Sequence, residues 1–408
     1  MSLDPERVQQ RSMEILSRLV EEIGPRPAGS AAEHGAFDWL EEQFRSAGLE
    51  THCFPVRFQP DPAFFPYYSI PAAGFALVAL TLATSGWTTL LLPLLILLLP
   101  EGTQWLQSKL LPYKEGSSNL LVLPAKTQPR ELDVILCAHI DSARAVPAGT
   151  DIWKKWRDRS MYTMMRAANL LIIPGLFQMM GIDIGGILLL VGQSLAWGMA
   201  GLLLAQEVWE QASSRGRFSP GANDNASGVS LLAAAALTAA ETPTGNLKAG
   251  FLFTGAEECG LHGARQFAGY MRENGLQTPV ISVDMVGAGK SLRIITRCGT
   301  VRPVNTNIEL NELIKRADPL AEFHSAPRRW GDFAPFIQAG IPASHIENGG
   351  TSRSWSTYHT PDDTLDVIEP EMMRHVSDVL AQLFWILEKS KENPVEYVHE
   401  QSTANAYK

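Results

Sequence analysis

Two glutamates, Glu257 and Glu258, stand side by side in the segment FTGAEECGLHG (253–263). The run before them (247–253) is apolar and typical of a strand, and a helix-like run follows. Adjacent carboxylates repel each other and resist desolvation, so a solvated loop is the simplest interpretation. The alternative is that each carboxylate has its own chemical task at the end of a buried strand.

Other imidazole and carboxylate groups occupy similar positions. DVILCAHID ends at His139 and Asp141, and PVISVDMVG reaches Asp284. The turn-rich loop SPGANDNASG carries Asp224 just before an apolar helix, and TYHTPDD carries His359. Nitrogen and oxygen ligands without a thiolate suit zinc, or else manganese or cobalt.

Each residue also has a simpler explanation by itself. A histidine at a strand end is usually a hydrogen-bonded core residue, and Asp224 stands where a helix cap would be. Asp284 is harder to explain, because a lone carboxylate in an apolar strand is costly to bury. The joint occurrence of all these residues favours a metal site.

The elements that must position these residues alternate between strands and helices. Such alternation predicts an α/β fold with a mixed, mostly parallel central sheet and helices on both faces. Sites in such sheets form at the carboxyl ends of the strands. The predicted helices cover 4–22, 29–47, 229–240, 260–273, 304–317 and 370–389, and the predicted strands cover 52–58, 117–125, 133–141, 248–253, 279–286, 291–296 and 343–346.

Composition narrows the function further. The net charge of −9 excludes a basic surface for nucleic acid, so no nucleic-acid partner is expected. None of the four cysteines forms a CxxC pair, which indicates reduced thiols. The charged N-terminal stretch is typical of an amphipathic helix and not of a signal peptide.

Two apolar blocks, 64–111 and 160–210, interrupt the pattern. Each is long enough for two short membrane spans, because one spanning helix needs about 20 apolar residues. The chain 1–408 is therefore expected to form a single catalytic domain interrupted by two hydrophobic helical hairpins. A buried helical lid or a dimer interface is the alternative.

The hairpins would make the protein integral to the cell membrane, with the membrane as a partner. Lysines and arginines flank the blocks on the catalytic side, and the two hairpin turns carry none. The positive-inside rule then predicts a cytoplasmic catalytic domain.

The segments HID, GANDNASG, GAEECGLHG, SVDMVG and YHTPDDT, in this order, resemble the co-catalytic dizinc exopeptidase family of clan MH. That family includes leucyl-type aminopeptidases and glutamate carboxypeptidase-like enzymes. The resemblance covers 113–150 and 215–390 and includes WGDFAPFIQAGIPASHI (330–346). It implies the zinc-exopeptidase fold and a membrane-attached aminopeptidase that releases N-terminal residues from a peptide substrate.

Residue by residue, the resemblance implies two zinc ions. One would be held by His139, Asp224 and Glu258, and the other by Asp224, Asp284 and His359, so that Asp224 bridges them. A cis peptide bond after Asp224 is also implied.

The same resemblance assigns the remaining roles. Glu257 would be the general base, which takes a proton from the water that becomes a hydroxide bridging the two zinc ions. Side chains of successive extended residues point to opposite sides, so Glu258 is expected to face a metal while Glu257 leans over the bound water. The carboxylate of Asp141 would accept a hydrogen bond from His139, and Tyr358 would steady the oxyanion.

Several alternatives share this fold. A glutaminyl cyclase-like transferase would use one zinc ion, and a carboxypeptidase would act at the other end of the peptide. A catalytically inactive membrane scaffold would need no metal. The side-chain preference and the oligomeric state stay open.

Overall fold

The computed structural model describes residues 3–59, 112–145, 177, 180–182, 185–214, 216–241, 245–299, 303–326, 330–350 and 352–392. The chain divides into two compact units. The first comprises 1–60, 113–145 and 218–408, and the second comprises 61–112 and 146–217. All the predicted site residues belong to the first unit.

One mixed sheet forms the centre of the first unit. Its strands among the described residues are β1 (Glu50–Phe58), β2 (Lys114–Leu123), β3 (Val134–His139), β4 (Ala249–Thr254), β5 (Val280–Val283), β6 (Leu292–Cys298), β7 (Val304–Asn305), β8 (Glu322–Ala326) and β9 (Ala343–Asn348). They are hydrogen-bonded in the order β1-β2-β4-β3-β5-β9-β6-β7, and β8 pairs with β6.

The middle of this sheet is parallel and its flanks are mostly antiparallel. Strands β4, β3, β5 and β9 run in the same direction, as do β6 and β8. The pairs β1–β2, β2–β4, β6–β7 and β6–β9 are antiparallel. The predicted mixed α/β sheet is confirmed, but "mostly parallel" holds only for its centre. An alternating order of strands and helices does not specify from which end of the sheet the chain enters each strand. That end determines whether the strand is parallel or antiparallel to its neighbours.

Helices cover both faces of the sheet, as the sequence predicts. In the first unit they are α1 (Pro5–Ser17), continued by a π-helical segment (Arg18–Ile23), α2 (Ala31–Ser46), α4 (Ser227–Glu241), α5 (His262–Glu273), α6 (Ile308–Ala317), α7 (Phe333–Gln338), α8 (Ser352–Ser356) and α9 (Pro370–Glu392); α3 (Gly185–Ser214) lies in the second unit.

The core has two layers because successive strand residues point to opposite faces. Leu120 and Phe251 belong to a cluster that includes apolar residues of α1, α2, α4, α6 and α9. Leu121 and Leu252, the adjacent residues, belong to a second cluster with α5 and α7. The central strands β3, β4 and β5 are buried throughout, as expected for strands covered on both faces.

Local sequence explains where several helices begin. The side chain of Asp4 accepts hydrogen bonds from the first turn of α1, and Ser30 does the same for α2. Asn307 caps α6, so this helix begins at 308 and not at the predicted 304. The two residues Val304–Asn305 form β7 instead.

The second unit is described only in part. The predicted insert 64–111 lies outside the described residues, and the insert 160–210 is described at 177, 180–182 and from 185 onward. Residues 180–181 form a turn, and the amide of Ile182 donates to the carbonyl of Phe177 at 2.9 Å. Helix α3 follows this turn.

The prediction of an integral membrane protein is wrong. Among the helices that the structure describes, none combines the length and the apolarity that crossing a bilayer requires. Hydropathy of a sequence block does not reveal how much of it forms one uninterrupted apolar helix, and a span needs about 20 such residues. The predicted membrane hairpins are therefore unsupported, and the cytoplasmic orientation inferred from them loses its basis.

A buried arginine joins three segments of the first unit. The Arg26 side chain is 0% exposed and donates only to backbone carbonyls. Burial lowers its pKa to about 10, so the guanidinium stays charged at neutral pH. The acceptors are Ile140 (3.0 Å), Leu19 and Gly24 (2.8 Å each), and Pro220 and Gly221 (3.1 Å each).

We predict that Arg26→Met lowers the free energy of unfolding by about 3 kcal/mol or more, because it leaves several buried carbonyls unpaired. Urea denaturation followed by circular dichroism measures the effect. Arg374→Met is the matched control, since Arg374 makes only exposed ion pairs and its loss costs about 1 kcal/mol or less. Equal losses in both variants would contradict the prediction.

Candidate metal centre

Three adjacent parallel strands bring the first part of the site together. Strand β3 ends at His139, Asp284 directly follows β5, and Glu257 and Glu258 follow β4. Strand β3 lies between the other two, and His139 is level with Thr254, the last residue of β4. These side chains therefore meet at the carboxyl edge of the sheet, as the sequence predicts.

Asp224 lies in the irregular segment before α4. Its φ/ψ of −113°/91° is not helical, and the peptide bond to Asn225 is cis, as the resemblance implies. The buried carboxylate of Asp363 accepts hydrogen bonds from the amides of Asn223 (2.9 Å) and Asp224 (3.1 Å). Burial raises the pKa of Asp363 to about 7.

Asn225 ties this segment to the strand that ends beside Asp284. Its side-chain amide donates to the carbonyl of Val283 at 2.9 Å, and its Oδ1 accepts from the amide of Met285 at 3.2 Å. The amide of Gly228 donates to the same oxygen at 3.1 Å. Asp224 and Asp284 are therefore held by one set of hydrogen bonds.

All five predicted ligands come together, and Asp224 is their common member. Its Oδ1 lies 3.3 Å from Nε2 of His139, and its Oδ2 lies 3.1 Å from Nε2 of His359. Oδ1 of Asp284 is 3.6 Å from the same nitrogen of His139, and Oε2 of Glu258 is 3.2 Å from that of His359. The two oxygens of Asp224 thus face two separate groups of donors.

This grouping corrects the ligand pairing drawn from the resemblance. Asp284 lies with Asp224 and His139, and Glu258 lies with Asp224 and His359, so Asp284 and Glu258 exchange places. The reason is positional. His139 and Asp284 end adjacent strands, whereas Glu258 lies on a turn beyond the end of β4.

The donor set fits a divalent cation. Oε1 of Glu258 and Oδ1 of Asp284 are buried, and neither oxygen has a hydrogen-bond partner within the part of the chain that the structure describes. Unpaired buried polar atoms are costly and rare. Divalent cations that accept imidazole and carboxylate lone pairs, one in each donor group, would satisfy both oxygens.

Asp141 positions the site in a different way from the predicted one. Nδ1 of His139 lies 3.0 Å from the backbone carbonyl of Asp141 and 3.6 Å from its carboxylate. A carbonyl only accepts, so Nδ1 carries the proton and Nε2 keeps its lone pair for a metal. The carboxylate of Asp141 instead accepts from the amides of Glu257 and Glu258, at 3.0 Å each.

The two adjacent glutamates lie in a turn and not in extended backbone, so the predicted alternation of their side chains is wrong. The amides of Gly260 and Leu261 both donate to the carbonyl of Glu257 at 2.8 Å. The carboxylate of Glu258 reaches His359, while that of Glu257 lies near His139. Burial raises the pKa of Glu257 well above its ordinary value.

The side chains of Asp224, Glu257, Glu258 and Asp284 line a cavity with a volume of about 150 Å³. Tyr358 lines this cavity as well. Its ring stacks on the imidazole of His359, with the centroids 3.7 Å apart. Burial raises the pKa of its phenol well above 10, so the hydroxyl keeps its proton.

The sequence did not single out three supporting residues. Asp363 is the second aspartate of TYHTPDD, a few residues after the candidate ligand His359. Asn225 follows the candidate ligand Asp224, but nothing in its neighbours in the sequence indicates that its side chain reaches β5. Arg26 lies in a short connection between helices, where an arginine is ordinarily exposed.

We predict that the metal-free protein becomes less stable as the pH rises from about 6 to about 10. Burial opposes protonation of His359, but Glu258 and Asp224 outweigh it and raise the pKa of His359 from 6.5 to about 10. The stability from this histidine is complete below pH 6.5 and is lost as the pH rises through 10. Burial also raises the pKa of Glu258 from 4.5 to about 7, which acts in the same direction.

Thermal unfolding of chelator-treated protein across this pH range measures the effect. His359→Gln removes the contribution of His359, which is larger than that of Glu258, and should therefore weaken the dependence of the unfolding temperature on pH. A metal-free protein that gains stability toward alkaline pH would contradict the prediction.

Residues 209–384 match the family model described as Peptidase family M28. This segment contains Asp224, Glu258, Asp284 and His359, and His139 precedes it. A curated relative, aminopeptidase YwaD of Bacillus subtilis (strain 168), is 28% identical over 184 residues, which is 43% of this chain. The alignment spans 40% of the relative's own length.

Solved structures share the fold. BSAP, a zinc aminopeptidase from Bacillus subtilis, matches with a TM-score of 0.52 and 16% identity over 94% of this chain and 96% of that one. The LapA aminopeptidase of Legionella pneumophila matches with a TM-score of 0.52 and 14% identity over 93% of this chain and 71% of that one. A glutaminyl cyclase of Fimbriiglobus ruber matches with a TM-score of 0.50 and 14% identity over 94% of this chain and 95% of that one. The chain therefore has the α/β fold of these enzymes, and the segment with four of its five candidate ligands matches the model of Peptidase family M28.

Proposed function

We propose that this protein is a zinc-dependent exopeptidase, and specifically an aminopeptidase that releases N-terminal residues from peptides. The observation that carries the proposal is the position of Asp224, whose two carboxylate oxygens face two donor pairs. One pair is His139 with Asp284, and the other is Glu258 with His359. The family match and the aminopeptidase relatives support the same activity.

Two zinc ions, one in each of the donor groups that share Asp224, would be held by His139, Asp224, Glu258, Asp284 and His359. Each donor group offers one imidazole and two carboxylates, which suits zinc with a position left open. The three ligand carboxylates leave one of the four positive charges of two zinc ions uncompensated. Bound zinc supplies Lewis acidity, which polarises a peptide carbonyl and acidifies water.

Glu257 is the general base of the proposed reaction. It lines the cavity beside the donor groups, and Asp141 holds its backbone amide at 3.0 Å. It takes the proton of the attacking water and passes it to the leaving amine.

Tyr358 stabilises the charge that develops on the carbonyl oxygen. Its protonated phenol lies in the cavity with Glu257, and the stack on His359 limits where the hydroxyl lies. A donor aimed at the developing oxyanion strengthens as the reaction proceeds.

The chain 1–408 is proposed as one catalytic domain into which segments 64–111 and 160–210 are inserted. The division of the chain into a discontinuous first unit and a second unit formed by 61–112 and 146–217 supports this organisation.

A single-zinc glutaminyl cyclase-like transferase is the second candidate, because a solved glutaminyl cyclase shares the fold. Metal analysis of purified, zinc-loaded protein separates the two. We expect two zinc ions per chain, and we expect Asp224→Asn to lose most of both, because Asp224 belongs to both donor groups. One zinc ion per chain would favour the cyclase.

Hydrolysis of short peptides with free and with acetylated N-termini tests the activity. We expect cleavage of the free-amine peptides only, and its loss on treatment with a chelator. Glu257→Gln should lower kcat by about 10²- to 10⁴-fold while the metal content is retained, because it removes the general base. Glu371→Gln, on the exposed first turn of α9, is the control.

Equal cleavage of acetylated peptides would refute the aminopeptidase assignment. Full activity of Glu257→Gln would refute the assigned base. Release of C-terminal residues alone would indicate a carboxypeptidase.

A further inference from the structure

We propose that Glu33 is a positioning residue for the general base, because together with Asp141 it holds the turn that carries Glu257. The inference rests on the proposed aminopeptidase function and deepens it. Glu33 lies on α2, and α2 contributes none of the described residues that line the cavity.

Both carboxylate oxygens of Glu33 form hydrogen bonds, and they bind different segments. Oε2 accepts from the amide of Gly29 at 2.6 Å, which fixes the start of its own helix. Oε1 accepts from the hydroxyl of Ser117 on β2 at 2.7 Å. The backbone amide of Ala256 also donates to this carboxylate. Glu33 therefore links α2 and β2 to the residue that precedes Glu257.

Gly255 lets the turn approach Glu33 closely. A β-carbon at this position would collide with the hydroxyl of Ser117 and would lie only 2.7 Å from Oε1 of Glu33. The amide of Gly255 also donates to Oδ1 of Asn119 on β2 at 3.3 Å. The segment that leads from β4 to Glu257 is therefore packed against side chains of α2 and β2.

Three successive amides of the turn bind two buried carboxylates. Ala256 has a φ of 53°, which lies in the left-handed region that a residue with a β-carbon seldom adopts. Successive N–H groups in such a conformation form a concavity that binds anions. The amide of Ala256 donates to Glu33, and the amides of Glu257 and Glu258 donate to Asp141 at 3.0 Å each. The two carboxylates thus fix consecutive peptide units.

The place that Glu33 occupies is unfavourable for a carboxyl group. The residue is 0% exposed, and burial, followed by the charge of Asp141, raises its pKa to about 8. The first turn of α2 already has a cap, because the hydroxyl of Ser30 accepts from the amide of Glu33 at 3.1 Å. Holding the turn therefore gives this buried group a role that the helix cap does not.

Loss of the Glu33 carboxylate frees the turn at the residue before the base. A general base must lie within hydrogen-bonding distance of the proton that it takes, and a displacement of about 1 Å costs up to about 100-fold in rate. Glu258 is held in addition by His359, whose Nε2 lies 3.2 Å from its Oε2. We therefore expect Glu257 to be displaced more than the donor groups.

The first experiment measures kcat and KM of the zinc-loaded full chain on a peptide with a free N-terminus. Glu33→Leu removes both acceptor oxygens, and it should lower kcat about tenfold or more while KM stays within about threefold and the zinc content is retained. Ser117→Ala removes one donor to Glu33 and should lower kcat about threefold. Ser30→Ala weakens the start of the same helix and is the control, with a lower unfolding temperature and kcat within about twofold of the wild type.

The same substitution in a Glu257→Gln background identifies the group through which Glu33 acts. If Glu33 positions the base, Glu33→Leu should change the residual kcat of Glu257→Gln by less than about twofold, because the base is already absent. A purely structural role would lower kcat by the same factor in both backgrounds and would overturn the inference.

Hydrogen exchange of the metal-free protein tests the contact without any activity. Segment 254–261 should exchange about tenfold faster in Glu33→Leu than in the wild type, because the amide of Ala256 loses its acceptor. Ser30→Ala should leave the exchange of this segment unchanged. Equal exchange in Glu33→Leu and the wild type would overturn the inference.

The outcomes separate this inference from the function on which it rests. If the wild type cleaves peptides and Glu33→Leu retains its kcat, the role of Glu33 is refuted and the aminopeptidase stands. If the zinc-loaded wild type cleaves no peptide, the proposed function fails, and the role of Glu33 toward a base falls with it.

Discussion

The mutual repulsion of buried carboxylates is the constraint on which the candidate site depends. Asp224 is 4% exposed and lies close to Glu258, while Asp284 reaches the same His139 as Asp224 does. Such a cluster persists in a folded protein only if positive charge compensates it. In the metal-free protein that charge comes from His139 and His359, and the resulting ion pairs lower the pKa of Asp224 despite its burial. A divalent metal replaces those protons with a stronger compensation at the same place.

The surrounding fold holds this cluster through backbone hydrogen bonds. Asp363 holds the amide of Asp224, and Asp141 holds the amides of Glu257 and Glu258. Each uses a buried carboxylate to fix the main chain that carries a ligand. Arg26 fixes the main chain through carbonyl groups. Its buried guanidinium donates to the carbonyl of Ile140, which lies between His139 and Asp141, and to those of Pro220 and Gly221, which precede Asp224. The side chains of the site are therefore positioned by the segments that carry them.

The ligand types and their positions at strand ends could be predicted, because an apolar run that stops at His139 or at Asp284 places a polar group at the sheet edge. The partners of each ligand could not. Asp284 joins His139 because β3 and β5 are neighbours, and Glu258 joins His359 because its turn extends beyond β4. Hydropathy was the weakest guide, because the apolar composition of 160–210 did not determine the length of an apolar helix.

The sequence by itself determined the residue types, their order and the alternating elements that carry them. Chemical identity and apolar periodicity are local properties, and they predicted imidazole and carboxylate groups at the ends of strands, while the roles of five ligands and a general base were implied by the resemblance. The tertiary structure alone decided which ligands share a group, that Asp141 acts on backbone amides, and that the side chain of Asn225 reaches the strand that ends beside Asp284. These depend on strand order and register, which arise from contacts between residues far apart in the chain. No local pattern around Asn225 or Arg26 encodes them.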